Sequence, residues 1–341
     1  MPSESSGRGR DGMEMEEVRR WAVLGGSGFV GRSVRAALTE QQEDVRVVRA
    51  PRLDLPVAAG VSDVIAAARN HDEVRALSAQ FENCTVVVNA AGLATPGSGA
   101  STTLTGANAL LPVVAFEATR AAGARRFIHI SSAAVQGRRR VLDETSDTAP
   151  LSPYAASKAL GEAALRRAAV DVATCELVIL RATSVQGRER QTTASLRRLA
   201  RSPLASVAAP GTQPTIVSSS QGLGAFVVTL GVQPSGATPL LALQPWEGIS
   251  VSEILHAAGG RSPRVLPHQL CHSVVSLAYT LARVSPGLAG TVRRIELMWF
   301  GQAQNAEWAI QRGLDPAPPL VLKELMPADT LAPPSAGESV P

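Results

Sequence analysis

Lysine and tyrosine are scarce in this chain: 341 residues contain only Lys158 and Lys323, and only Tyr154 and Tyr279. Three cysteines, Cys84, Cys175 and Cys271, are odd in number, far apart and without metal-ligand spacing. That excludes a disulfide framework and predicts three reduced, buried thiols. The five histidines, His71, His129, His256, His268 and His272, form no ligand cluster, so no metal is expected. No apolar run reaches the ~20 residues of a membrane span, and the opening MPSESSGRGRDGMEMEEVRR has no apolar signal-peptide centre. A cytoplasmic protein without a membrane partner is expected. The net charge of +4 is mild, and only Arg138, Arg139 and Arg140 form a basic run. With no groove-reading motif beside them, nucleic acid is not an expected partner.

What the chain does have is apolar residues, 45% of the total, enough for a large core. Residues 1–18 are polar and rich in Gly, Ser, Arg and Glu, and are expected to be a disordered leader. The Pro-rich residues 317–341 are expected to be a disordered tail. Between them, WAVLG, VRVV, TVVVN, RFIHIS and LVILR have the composition of strands, and helical periodicity appears near 28–40, 60–80, 105–122 and 154–169. Continuous apolar strands alternating with helices predict an α/β fold, a Rossmann-type doubly wound parallel sheet over 19–181. Beyond Arg181 the alternation weakens. Residues 182–316 are expected to form a smaller, mostly helical substrate-binding part, with room for some return to the sheet. Trp299, Phe300 and Trp308 fall on helical spacing and are assigned to the core of that smaller part.

The stretch WAVLGGSGFVGRSVRAAL places Gly25, Gly26, Gly28 and Gly31 between the first strand and the first helix. Glycines there permit a tight turn and a close approach to a pyrophosphate, while the helix start offers free N–H groups and the positive end of its dipole. In a strand–turn–helix context this is a dinucleotide-binding loop, and Gly25, Gly26, Ser27, Gly28, Phe29, Val30, Gly31 and Arg32 are its candidate residues. An acid ending the second strand would select NAD, whereas an arginine accommodates the 2′-phosphate of NADP. VRVVRAPRLDL ends on Arg49 and Arg52, so NADP(H) is favoured over NAD(H). Asp54 either closes the adenine pocket or serves a cap or turn.

The sharpest chemical signal is SPYAASKALGE. Tyr154 and Lys158 stand at i and i+4 of a helix and so share one face. A phenol with a pKa near 10 is a poor proton shuttle at neutral pH until a nearby ammonium lowers it. Lys158 can do this and also hold the nicotinamide ribose.

With these motifs in this order, the chain resembles the extended short-chain dehydrogenase/reductase family, which includes nucleotide-sugar epimerases, dehydratases and keto-reductases. The resemblance is carried by GGSGFVG, VVVNAAGLA, GANALLPVVAFEATRAAGARRFIHISS, SSAAVQG and SPYAASKALGE. It implies that Asn89, Ala90, Ala91 and Gly92 form a floor beside the cofactor, and it adds Asn108. The catalytic Ser, five residues before the reference glycine Gly137, is implied to be Ser132, with Ser131 the runner-up. The later LVILRATSVQGRE resembles the strand and loop entering the substrate domain, which puts Arg181 at the substrate. The implied reaction is hydride transfer at a sugar carbon, with Tyr154 relaying the proton and Ser132 bonding the reacting oxygen.

Some positions depart from the family pattern. Gln136 replaces a tyrosine, and Pro214, Ser220 and Gln221 stand where nucleotide-sugar members carry an arginine and an acidic pair. Arg188, Arg190, Arg197 or Arg293 could replace the missing cation, with Arg188 taken as a substrate residue. The expected function is 4-keto reduction or 4-epimerisation of a nucleotide-activated sugar, by a protein that could be a homodimer. The alternatives are reduction of a nonsugar ketone or aldehyde, and a nonenzymatic dinucleotide-binding regulator.

Overall fold

The computed structural model describes residues 19–69, 71–94, 99–170, 174–282, 286–314 and 319–326. The chain runs β1 (Arg20–Leu24), α1 (Phe29–Glu40), β2 (Asp44–Val48), α2 (Val61–Arg69), α3 (Asp72–Phe81), β3 (Val86–Asn89) and α4 (Thr102–Thr105). A π-helical turn (Gly106–Leu110) leads to α5 (Leu111–Ala121), β4 (Arg126–Ser132), a 3-10 turn (Ala133–Gln136), β5 (Val141–Leu142), α6 (Pro153–Ala168) and β6 (Glu176–Ala182). It continues through β7 (Ser184–Gln186), α7 (Gln191–Arg201), β8 (Ser206–Ala208), β9 (Val217–Ser219), α8 (Ser220–Val232) and β10 (Leu241–Leu243). The last elements are α9 (Val251–Gly259), β11 (Arg264–Leu266), α10 (His268–Ala282), α11 (Pro286–Phe300), β12 (Ala303–Gln304), α12 (Glu307–Gln311) and α13 (Leu320–Leu325).

Six strands form one parallel sheet in the order β10-β6-β4-β3-β1-β2. Successive side chains alternate between its faces. Ala22, Leu24, Val87, Phe127 and Ile179 pack with Val64, Leu77, Phe116 and Leu165 of the helices on one side. Trp21, Val23, Val88, Ile128 and Leu180 pack with Val34, Leu38, Leu223 and Val227 on the other. Burial on both faces explains why β3 and β4 are buried nearly end to end rather than at alternate residues. The order reverses at β1, and the switch point opens a crevice at the carboxyl ends of β1 and β3.

The sheet does not end at β6. β10 pairs with it through Leu241, Ala242 and Leu243, and α8 lies across α1 on one face. A Cβ on Gly224 would stand 2.4 Å from the Ser33 carbonyl oxygen, so this helix crossing depends on a missing side chain.

Three expectations need correction. The helical stretch near 60–80 is two helices, because His71 takes an extended conformation and caps α3 through the Glu73 N–H. Trp308 is not in the core of a separate C-terminal part. Gly301, with φ +62°, follows α11, and the chain turns back so that Trp308 packs edge-on against Phe226 beneath the main sheet. The tail is ordered at its start: α13 buries Val321 and Leu325, one turn apart, against Ile254, Leu255 and Val207. Glu247 accepts the Val321 N–H at 2.7 Å, and Arg197 donates to the carbonyls of Glu324 and Leu325. Residues 1–18 and 327–341 lie outside the described residues. The three cysteines are buried free thiols.

Gly224→Leu would force the side chain into the α1 backbone and is expected to lower unfolding free energy by about 2–3 kcal/mol, as overpacking does elsewhere. Urea unfolding measures it, and an unchanged midpoint would mean that the crossing is not tight.

Candidate active site

The glycine loop is shaped by contacts that no side chain could share. Gly25 has φ +78°, and a Cβ there would stand 2.8 Å from Ala91 Cα. One on Gly31 would stand 2.3 Å from the Gly25 carbonyl oxygen. Gly28 is different: it is exposed, and it caps α1 without a side-chain bond to the helix N–H groups. Those groups and the dipole therefore face an open approach suited to a pyrophosphate.

Beside this loop lies a cavity of about 860 Å³, walled by Gly25, Ser27, Gly28, Arg49, Arg52, Ala90, Ala91 and Gly92. Leu53, Glu73 and Ala107 complete the far end, and the sequence offered no signal for Glu73. The cradle and cavity fit a dinucleotide. Arg49 and Arg52 are exposed on its wall and have no acidic partner among the described residues.

Other loop candidates act from behind the wall. Arg32 donates to the Ser27 carbonyl at 2.8 Å and pairs with Glu189 at 3.4 Å rather than lining the cavity. Phe29 lies under the Arg190 guanidinium, 4.9 Å from ring centroid to Cζ, and Val30 packs against the core. Asp54 accepts bonds from the Thr103 and Thr102 hydroxyls, at 2.7 and 3.2 Å, which resolves its two expected roles toward holding α4.

Two asparagines also support the site from within. Asn89 is fully buried; its Oδ1 accepts the Ala91 N–H at 3.0 Å and its Nδ2 meets His129 Nδ1 at 3.2 Å. Burial, aided by the charge of Lys158, holds His129 well below the usual imidazole range, so it is neutral. Asn108 sits in the π-helical turn, accepts the Leu93 N–H and donates to the Leu93 carbonyl and to Ser157 Oγ. Both asparagines thus fix the chain leaving β3, which forms the cavity floor.

The catalytic candidates converge from β4 and α6. Ser132 ends β4, where its Oγ accepts the Ala134 N–H and caps the 3-10 turn. Ser152 caps α6 and Pro153 starts it, setting the helix so that Tyr154 and Lys158 face inward. Burial raises the Tyr154 phenol above its usual pKa of 10, while a hydrogen bond with Ser132 and then the Arg190 charge pull it down. Lys158 does not point at the phenol: its Nζ donates to the Ile130 carbonyl at 3.0 Å, because α6 lies flat against the end of β4. Burial pushes this ammonium down to about 8, against the opposing charge of Glu162.

Arg181 is not a substrate residue. It is fully buried and forms an ion pair with Glu162 at 2.8 Å, with a further bond to the Thr145 carbonyl at 2.6 Å. It lies on β6, next to β4 in the sheet, and so points into the same polar pocket as Glu162 and Ser131, whose Oγ donates to Glu162 at 2.6 Å. That bond holds Ser131 in the buried pocket, whereas Ser132 bonds to the Tyr154 phenol. Arg188 is exposed and reaches the Lys323 carbonyl at 3.3 Å. Arg190, one of several cations the sequence left open, is the one beside Tyr154. Among the rest, Arg197 and Arg293 donate to main-chain carbonyls of 324–326 and 137.

Comparison with known proteins places the chain in a family. Residues 21–222 match the NAD dependent epimerase/dehydratase family. A search of curated proteins finds no match. Among solved structures, UDP-glucuronic acid 4-epimerase from Bacillus cereus in complex with NAD is 21% identical, covering 73% of this chain and 87% of its own, with a TM-score of 0.53. The dTDP-4-dehydrorhamnose reductase of Bacillus anthracis in complex with NADP is 18% identical over 73% and 84%, with a TM-score of 0.52. The terminal R domain of the myxalamid PKS-NRPS pathway is 14% identical over 90% and 89%, with a TM-score of 0.59. The chain belongs to the NAD-dependent epimerase/dehydratase family and is an NAD(P)-dependent enzyme of the extended short-chain dehydrogenase/reductase type.

The depressed pKa of Lys158 makes a testable stability statement. Below pH 8 the folded and unfolded chains both carry the proton and the burial penalty is complete. From about 8 to 10.5 the folded chain releases the proton first, so the penalty fades and stability rises with pH. Lys158→Met, which removes the penalty, is expected to be more stable than the unaltered protein by about 3 kcal/mol at pH 7, an upper bound from the shift. Its advantage should shrink toward pH 10.5; a constant difference in urea unfolding across that window would contradict the buried ammonium.

Proposed function

We propose that the protein transfers a hydride at C4 of a nucleotide-activated sugar, as a 4-keto-reductase using NADPH in preference to a 4-epimerase retaining NAD. The observation that carries the reading is the convergence of Ser132 and Tyr154 at the end of β4, beside a glycine cradle whose cavity wall presents Arg49 and Arg52. The printed names of two structural neighbours, a UDP-glucuronic acid 4-epimerase and a dTDP-4-dehydrorhamnose reductase, support a nucleotide sugar as substrate.

When bound, the dihydronicotinamide would supply a hydride to the carbonyl carbon. Tyr154 Oη gives its proton to the carbonyl oxygen as the C=O π bond opens, and Ser132 Oγ hydrogen-bonds the same oxygen. Lys158 contributes a positive charge on the inner side of α6, from which it would favour the tyrosinate through space rather than by contact and would hold the nicotinamide ribose. Gly25, Gly26, Gly28 and the start of α1 hold the pyrophosphate, and Arg49 with Arg52 holds the 2′-phosphate. Arg190, stacked on Phe29 and acting on Tyr154, is the cation placed to meet an anionic group of the substrate.

A second reading, reduction of a nonsugar ketone or aldehyde, is favoured by one observation. Arg181 is committed to Glu162, which removes from the site the β6 cation expected there.

Tyr154→Phe is expected to cut turnover of a nucleotide 4-keto-sugar by about a hundredfold or more, while NADPH binding measured by fluorescence persists. Intact turnover would rule out the proton relay. Arg49→Asp together with Arg52→Asp is expected to move the NADPH-to-NADH ratio of kcat/KM at least about tenfold toward NADH, the loss of roughly one charged contact. An unchanged ratio would place the 2′-phosphate elsewhere. Release of tightly held NAD from the purified protein would instead favour the epimerase.

A further inference from the structure

α10 carries an apolar face that none of the described residues covers. Leu270, Val274, Leu277 and Leu281 recur at helical spacing and are 55, 44, 63 and 54% exposed, while Cys271, Val275 and Ala282 on the other side are buried. The helix itself has no charged residue from His268 to Ala282. The neighbouring β8–β11 pair adds Val265, 58% exposed, and Leu204 just before it is 72% exposed.

The exposed charges in this stretch have one sign. Between Glu253 and Glu296 the sequence has no acid, and Arg261, Arg264 and Arg294 are exposed there. Arg264 stands on β11 immediately before Val265, and Arg261 donates to the Arg201 carbonyl, bringing those two arginines together beside Leu204. Glu296, the acid nearest in packing, is neutralised by bonds from Tyr279, Arg293 and Arg138 at 2.6–2.7 Å.

We propose that α10 and its arginine flank dock the enzyme on an anionic membrane surface. Fifteen residues give a helix of about 22 Å, shorter than the ~30 Å hydrocarbon core, so α10 lies in the interface and does not cross it. In line with this, no helix among the described residues is long and apolar enough to span. Exposed leucines on a convex helix suit insertion at the headgroup boundary, and the arginines suit acidic lipid. A second copy of the chain is a poorer partner, because a symmetric contact through this face would set arginine against arginine. The docked helix is tied to the active-site rim: Tyr279 of α10 lies under Arg138, 4.1 Å from ring centroid to Cζ, and Arg138 stands two residues after the 3-10 turn that Ser132 caps. The proposal stands independently of the substrate assigned above.

Cosedimentation of the full-length protein with vesicles tests it. Vesicles with roughly one-third phosphatidylglycerol are expected to carry the protein down, pure phosphatidylcholine much less, and added salt should release it. Leu277→Glu with Leu281→Glu is expected to weaken partition by about tenfold or more, with an unchanged thermal midpoint and unchanged NADPH binding. Leu277→Ser with Leu281→Ser, free of added charge, should weaken it less but in the same direction. No binding to anionic vesicles overturns the proposal, as does binding that both double variants retain. A dimer in analytical ultracentrifugation that the variants split, with no vesicle binding, would assign the face to a second copy; binding only to an acidic protein would assign it to that partner.

Discussion

The inner face of α6 depends on one buried ion pair. Glu162 and Arg181 are both fully excluded from water, and Ser131 completes the carboxylate's bonding from β4. Such a pair adds little net stability relative to an apolar substitute, but removing one partner strands a buried charge at a cost of several kcal/mol. Its value here is geometric. Lys158 lies one turn before Glu162 and Tyr154 one turn before that, so clamping Glu162 to β4 and β6 sets the helix rotation that delivers the other two to the end of β4. Gly161 lets the same helix approach the π-helical turn, where a Cβ would stand 2.2 Å from the Asn108 carbonyl oxygen.

The polar groups beneath the site form a graded series. Asn108 and Asn89 bond to the backbone leaving β3 and His129 meets the Asn89 side chain, so the three brace the cavity floor. Lys158 stands between these supports and the reacting side, its ammonium pushed by burial down to about 8. Ser132, Tyr154 and Arg190 form the outermost layer. The phenol is raised above its usual value by desolvation, with the Ser132 hydrogen bond and the Arg190 charge opposing the rise.

The chain beyond β6 is bound into the sheet more than into a unit of its own. β10 extends the sheet, α8 covers α1, and Trp308 returns to the core beneath them. A separate apolar cluster gathers α7, β8, α9 and α13, and the α10–α11 hairpin projects from it with a face left open. The start of the tail became structure because two apolar residues one turn apart found that cluster, and because Glu324 meets Ser220 Oγ at 2.6 Å.

Features determined by local spacing were legible in the sequence alone: five apolar strand runs, the strand–glycine–helix signal, and Tyr154 and Lys158 on one helical face. They are readable because backbone periodicity and the steric demands of Gly25 and Gly31 act within a few residues of chain. Tertiary structure alone decided what the arginines do. Arg181 is spent on Glu162, Arg190 is brought to Tyr154, and Arg32 is turned to Glu189, since a guanidinium takes whichever carboxylate, carbonyl or ring the fold sets beside it. The open face of α10 belongs to the same class: its periodicity is written in the sequence, but which side meets the protein and which meets solvent was settled only when α11 packed against one of them.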